Sequence, residues 1–271
     1  MPRRIYSLAQ LIALPYTPPQ MLRLAAETGC AGAGIRLLPA SPGGVAHRLM
    51  DDAPLLRETL AVIADIGVRV LDIEVLRIDN GFDVRTVQRA FEVGAQLGAK
   101  HILVAGDDTD EARLTASFAA LCDAAAPYGL SADLEFMPWT AVPNLRTAKR
   151  IVGAAARPNA GLLVDALHFA RSDSRLDELD DIPRGWLHYA QICDAKVPGP
   201  ATHEAMIFDA RCERLLPGEG GIALHDLFGR LPRDLPISVE IPSESRAPVM
   251  GYSEWARRAF AASLAVLGEL G

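Results

Sequence analysis

Cysteine is scarce in this chain. Cys30, Cys122, Cys193 and Cys212 are the four among 271 residues, and no two stand in a C-x-x-C pair. That spacing argues against a structural zinc knuckle and a disulfide framework, and predicts free thiols in a reducing compartment. Long apolar runs are missing as well: no stretch of about 18 apolar residues exists to cross a membrane as a helix. The opening Met-Pro-Arg-Arg-Ile-Tyr lacks the apolar stretch of a secretory signal, so a cytoplasmic location is expected. Positive charge is in deficit, with 27 Lys and Arg against 34 Asp and Glu and a net charge of −7. A general nucleic-acid or membrane-surface binder needs a basic face, so neither is expected as a partner. A local basic pocket for an anionic small molecule is compatible with this balance, and so is a homo-oligomer.

What is present is apolar and periodic. Hydrophobic residues make up 50% of the chain, enough for a sizeable core. Short apolar, β-branched runs predict strands over Tyr6–Leu11, Ala33–Leu38, Val68–Val75, His101–Ala105, Ser131–Met137, Gly161–Leu167, Leu187–Cys193 and Pro236–Ile241. The first seven begin roughly 30 residues apart, the length of one strand–helix unit. Helical periodicity fills the gaps. It follows Asp51-Asp52 and stops at Gly67, runs from Phe82 to Gly98, and runs from Asp110 to Gly129. Ser253 is placed to cap a last helix through Leu270. Eight strands alternating with helices predict a single (β/α)8 TIM barrel over the whole chain, 1–271. The rival is a doubly wound open sheet. It is usually marked by G-x-G-x-x-G after the first strand, where this chain has Pro15, Pro18 and Pro19. The longest connection, Ala195–Gly221, is rich in Pro and Gly and reads as a functional loop.

The stretch GLLVDALHFA, Gly161–Ala170, reads as a buried strand that carries a carboxylate, Asp165, and then His168. A buried carboxylate needs a cation, hydrogen bonds or a metal. The other late strands carry comparable groups near their ends: Glu135 in SADLEFMPW, Gln191 and Asp194 in LHYAQICDA, and Glu240 in ISVEIPSE. In a barrel the C-terminal strand ends converge on one mouth. Three carboxylates converging there need a cation. Oxygen donors suit Mn²⁺ or Mg²⁺, with Co²⁺ or Zn²⁺ as further occupants. One divalent ion per chain is therefore expected. Arginines fall near the same mouth. Arg77 follows the third strand, Arg211 and Arg214 lie in the long loop, and Arg36 and Arg171 are further candidates for holding a carboxylate or phosphate. Glu74 and Asp107 also end strands and are left without a role.

The blocks LEFMPW, VDALHFA, AQICDA and SVEIPSE, in this order and spacing, resemble the xylose isomerase-like barrel superfamily. More narrowly they resemble its sugar phosphate isomerase/epimerase branch, from GIRLLP to the last helix. The resemblance implies Glu135, Asp165, Gln191 and Glu240 as ligands of one divalent metal. It implies Glu135 and Glu240 as acid and base, and His168 as a substrate-contacting proton donor. Gln191 stands where histidine is the commoner ligand, which weakens affinity for softer metals. This Gln and the loop RCERLLPGEG resemble a subgroup that contains bacterial 3-dehydroshikimate dehydratases. That match implies Arg77 and Arg214, with Arg211, as groups for an anionic sugar or cyclic keto acid. Arg214 is expected on a closing loop, outside both the core and the ligand set.

The function expected is a metal-dependent isomerase or epimerase that works by proton abstraction beside a metal-bound carbonyl. The alternative is a dehydratase, a lyase that begins with the same proton abstraction; a barrel without catalysis is a third reading. DNA repair of the endonuclease IV kind would need many histidines and a basic face, against six histidines and a negative charge here.

Overall fold

Asp52, Asp110 and Asn144 each accept the backbone N–H three residues on, from Leu55, Arg113 and Thr147, and so start three helices. Gly67 and Gly129 stop two helical stretches with φ of 70° and 69°, values that favour glycine over any residue with a Cβ. These local signals cut the chain into units that a computed structural model, describing residues 4–41 and 43–268, assembles as follows. The strands are β1 (Tyr6–Leu8), β2 (Gly32–Arg36), β3 (Arg69–Ile78), β4 (His101–Gly106), β5 (Ser131–Glu135), β6 (Ala160–Asp165), β7 (Ala190–Ile192) and β8 (Ile237–Val239). The α-helices between and after them are α1 (Pro18–Thr28), α2 (Ala53–Ile66), α3 (Gln88–Gln96), α4 (Glu111–Ala125), α5 (Leu145–Ala155), α6 (Ala166–Arg171), α7 (His203–Cys212), α8 (Leu224–Arg230), α9 (Ala247–Met250) and α10 (Tyr252–Gly268). The strands are all parallel and close into a barrel in chain order, with β8 returning to β1.

All eight expected strands are found, most of them shorter than read. The sixth ends at Asp165 and not at Leu167, because Asp165 caps α6 and turns the chain into a helix. The third runs on to Ile78. The loop expected over Ala195–Gly221 is not all loop: Thr202 caps α7 inside it, its hydroxyl accepting from the Ala205 N–H at 3.3 Å. The last helix begins at Tyr252, one residue before the cap expected at Ser253, and the expected end at Leu270 lies outside the described residues. All four cysteines are free. Among the described residues no helix is long and apolar enough to cross a membrane.

Alternation along the strands sorts the side chains into layers. One apolar shell fills the space between sheet and helices, with Phe91, Phe118, Phe228 and Trp255 fully buried. A smaller cluster that includes Leu103, Leu163 and Tyr189 lies within the barrel. On β5 the same face carries Asp133 below that cluster and Glu135 above it, so the barrel has polar groups at both ends and an apolar plug between.

Candidate active site

The register of the late strands sets the site. Asp165 on β6 lies beside Gln191 on β7, and Gln191 lies beside Ser238 on β8. Glu135, Asp165, Gln191 and Glu240 are all buried at the C-terminal end of the barrel. Asp165 Oδ1 accepts the His168 N–H at 3.0 Å, and this cap fixes His168 in the first turn of α6. The His168 Nε2 then stands 3.6 Å from Glu135 Oε1, and its ring meets Trp139 edge-on at 5.1 Å. Glu135, Asp165 and His168 offer ligand atoms that all lie within 4.8 Å of one another. Glu240 is not in that group. Its Oε1 accepts from Gln191 Nε2 at 3.0 Å, and its Oε2 is 2.7 Å from Arg214 Nη2.

Arg214 departs most from expectation. It is only 2% exposed and lies inside the acidic cluster, not on a mobile loop outside it. Its Nη1 donates to Asp165 Oδ2 at 2.6 Å, and its Nε donates to Ala210 O at 2.9 Å. The cause is backbone stitching. Leu215 bridges to Asp194 on one side, and Glu213 bridges to Ser243 on the other. Asp194 organises the loop further and does not line the pocket. Its two oxygens accept the N–H groups of Ala195, Gly218, Gly220 and Ile222 at 2.8–3.1 Å. A Cβ at position 220 would stand 2.2 Å from Asp194 Oδ1 and 2.4 Å from Ala195 O, so only glycine fits there. Arg171 is likewise structural. It donates to Lys196 O at 2.8 Å and pairs with Asp209 at 3.1 Å.

The charges explain the protonation of the site. Burial, then Glu240 and then Asp165, push the Glu135 carboxyl well above the usual carboxylate range. Burial also raises Glu240, to about 7, against the pull of Arg214. Burial would raise Asp165 too, but the Arg214 guanidinium together with His168, including its backbone N–H, outweighs burial and holds this carboxyl low. Burial lowers His168 to about 4, so its imidazole is neutral at neutral pH. Glu135 Oε1 and Gln191 Oε1 are buried with no hydrogen-bond partner among the described residues. A buried acceptor without a protein partner is free to accept from a water or to bind an ion. With both glutamates ionised, three carboxylates would face a single guanidinium, and this excess of oxygen donors fits a hard divalent cation.

Above these residues is a pocket of about 260 Å³. Leu14, Val75, Leu103, Met137 and Trp139 give it apolar walls, and Arg36, Arg77 and Arg211 also line it. Arg36 is paired with Glu74 at 2.8 Å, and Glu74 also accepts the Gln10 N–H at 3.0 Å. Arg77 pairs with Asp107 and donates to Ala40 O at 3.0 Å. Arg211 forms no ion pair among the described residues. Its pKa is lowered first by burial and then by Arg36. The sequence reading gave no role to Glu74, which sets Arg36, and missed Trp139, which flanks His168. The alternation of Asp72 and Glu74 among the apolar residues Val70, Leu71, Ile73 and Val75 was the available signal for the first. LEFMPW was read for its acid, although its last residue lines the pocket.

A family model described as xylose isomerase-like TIM barrel matches residues 22–268. The chain belongs to that family. It is 30% identical over 115 residues to the inosose isomerase of Halalkalibacterium halodurans, a match covering 41% of this chain and 38% of that protein. Among solved structures it is similar to a fusion of a xylose isomerase-like TIM barrel with 4-hydroxyphenylpyruvate dioxygenase (21% identity, TM-score 0.81), covering 98% of this chain and 43% of the fusion. The chain thus spans less than half the length of these two relatives. The IOLI protein, solved with a zinc atom, is similar over 98% of this chain and 99% of its own (20% identity, TM-score 0.81). The probable 3-DHS dehydratase AsbF from Bacillus anthracis is similar over 96% and 98% (13% identity, TM-score 0.73). At these identities the structural likeness is one of fold.

Proposed function

We propose that this barrel is a divalent-metal-dependent isomerase or epimerase acting on a small anionic polyhydroxy carbonyl compound, by moving a proton next to the carbonyl. The observation that carries the reading is that two buried carboxyls with raised pKa, Glu135 and Glu240, face one pocket from different strands. A base must exchange its proton near the operating pH; burial raises Glu240 to about 7 in the metal-free site, and a cation beside it would bring it down toward the carboxylate form that accepts a proton. When bound by Glu135, Asp165, Gln191 and Glu240, a divalent cation supplies Lewis-acid stabilisation of the charge that develops as the α-proton leaves. Mn²⁺ or Mg²⁺ suits this oxygen set. Glu135 and Glu240 take the proton from one carbon and return one to the other face or the adjacent carbon. His168, neutral and 3.6 Å from Glu135, holds a substrate oxygen or passes it a proton. The inosose isomerase among the relatives supports a ring ketone as substrate.

A dehydratase is the second reading, supported by the apolar pocket walls, the arginines and Gln191. The same α-proton is removed, and the β-hydroxyl takes a proton and leaves as water. One experiment tests both. The Mn²⁺-loaded protein is incubated in deuterium oxide with inososes, ketose phosphates and 3-dehydroshikimate, and deuterium at the α-carbon is followed with product. Exchange with an isomer supports the first reading, and exchange with an unsaturated product the second. No exchange with any of them favours a non-catalytic barrel and ends the proposal.

Among the described residues Arg211 is the pocket arginine that pairs with no acid, so it is the group expected to read the substrate's anion. Arg211→Ala should lower kcat/KM about ten- to hundredfold on the anionic substrate, the scale of one charge-assisted contact. An analogue without the anion should lose much less; equal losses would remove Arg211 from that role.

Gln191→His offers a nitrogen where the chain now offers an amide oxygen. Imidazole suits zinc, so the variant should bind Zn²⁺ more tightly relative to Mn²⁺ in competition titrations. Unchanged selectivity would place Gln191 outside the ligand set.

A further inference from the structure

At the opposite, N-terminal end of the barrel a second cluster of donors converges. His101 opens β4, Asp133 lies on β5, and His188 stands two residues before β7. The His188 Nδ1 is 2.6 Å from Asp133 Oδ1, and the His101 Nδ1 is 3.6 Å from Asp133 Oδ2. The two imidazoles stack with centroids 5.6 Å apart and planes 13° from parallel, so both present Nδ1 to one carboxylate. One donor atom from each of the three residues lies within 4.8 Å of the others. Ser131 Oγ braces the group, 2.7 Å from both His101 Nδ1 and Asp133 Oδ2. We propose that His101, Asp133 and His188 form a zinc site at the base of the barrel, separate from the site at its mouth.

The geometry is close to what zinc requires. Ligand atoms on a tetrahedral zinc with bonds of about 2.1 Å stand roughly 3.4 Å apart, and the 2.6 and 3.6 Å spacings here fall on either side of that value. Two imidazoles and one carboxylate leave the fourth position for water, and the donors suit zinc, cobalt or nickel better than the hard cations of the mouth. Asp133 is fully buried, whereas His101 and His188 border an open hollow with Lys100 and Asn159 on its rim, so an ion has a path in. Gly161 lets the Asp133 and His188 side chains come together against the backbone of β6. A Cβ on Gly161 would lie 2.1 Å from Asp133 Oδ1 and 2.5 Å from His188 Nδ1. The site ties β4 and β5 to the segment entering β7, at the face of the fold where stability, not chemistry, is usually set.

The test uses the full untagged chain. A variant with Glu135→Gln and Glu240→Gln, which disables the mouth, is stripped with chelator and titrated with Zn²⁺ by calorimetry. About one ion should bind, and its binding should raise Tm. Adding His188→Gln or His101→Gln should weaken that binding by more than about a hundredfold, beyond the roughly ten- to hundredfold that losing a supporting contact costs. Cobalt gives a second readout that does not need these histidine variants to fold: Co²⁺ in the mouth-disabled protein should show the ligand-field spectrum of tetrahedral coordination. No bound ion, an octahedral Co²⁺ spectrum, or zinc binding that survives both histidine substitutions would overturn the site and leave His188–Asp133 an ordinary ion pair.

Discussion

Arg214→Ala should destabilise the protein by about 3–5 kcal/mol, the cost of leaving a buried ion pair without one partner. Two carboxylates lose their cation at once, because Arg214 Nη1 serves Asp165 and Nη2 serves Glu240. For a chain of this size that is a fall in Tm of about 10 °C. The sign of the pH dependence follows from Asp165. Its folded pKa is depressed below 3.8, so the stability from this pairing is present above that value and lost as pH falls through the folded one. The deficit of the variant should therefore be full at neutral pH and shrink in acid. Mn²⁺ should restore part of it by supplying positive charge to the same carboxylates, and Arg214→Lys should fall between, keeping charge but losing the fork. Thermal melts across pH, with and without Mn²⁺, measure all of this. A wild-type melting curve in Arg214→Ala would mean that the guanidinium does not hold the site together.

Glu135→Gln and Glu240→Gln should each reduce kcat about 10²- to 10⁴-fold at saturating Mn²⁺, the usual contribution of a positioned acid or base. The amide keeps the shape and loses the exchangeable proton. Saturating metal separates the chemical step from weakened binding. If Glu135 is the base for the α-proton, solvent deuterium exchange in Glu135→Gln should fall with kcat. A variant that still exchanges deuterium at the wild-type rate while forming no product would move Glu135 to the later, proton-returning step. His168→Gln tests the neighbouring role, and with His168 at about 4 the wild-type pH profile should carry no limb near 6.5 from this group.

Much of this was legible in the sequence, for physical reasons that can be named. Strands and helices were marked by local chemistry: Asp52 and Asp110 as caps, Gly67 and Gly129 as stops, apolar runs between them. The acids at the ends of β5, β6 and β8 stood out because a carboxylate in an apolar run is costly. Arg214 was misplaced because two backbone bridges between distant segments, at Leu215 and Ser243, pull it inward, and no local pattern records them. Asp194 looked like a pocket residue because its spacing fits one; that four backbone amides reach it depends on how the loop folds back. The His101–Asp133–His188 cluster was not seen, since its members are far apart in the chain and belong to no short motif.

The four amides gathered on Asp194 bear on kinetics. A segment held this way has already lost its conformational freedom when the chain folds. Substrate capture then need not wait for that segment to order, nor spend binding free energy on ordering it. On the proposed reading, substrate enters a pocket that is already formed, and discrimination falls to the arginines that line it, Arg211 above all because Arg36 and Arg77 are each paired with an acid.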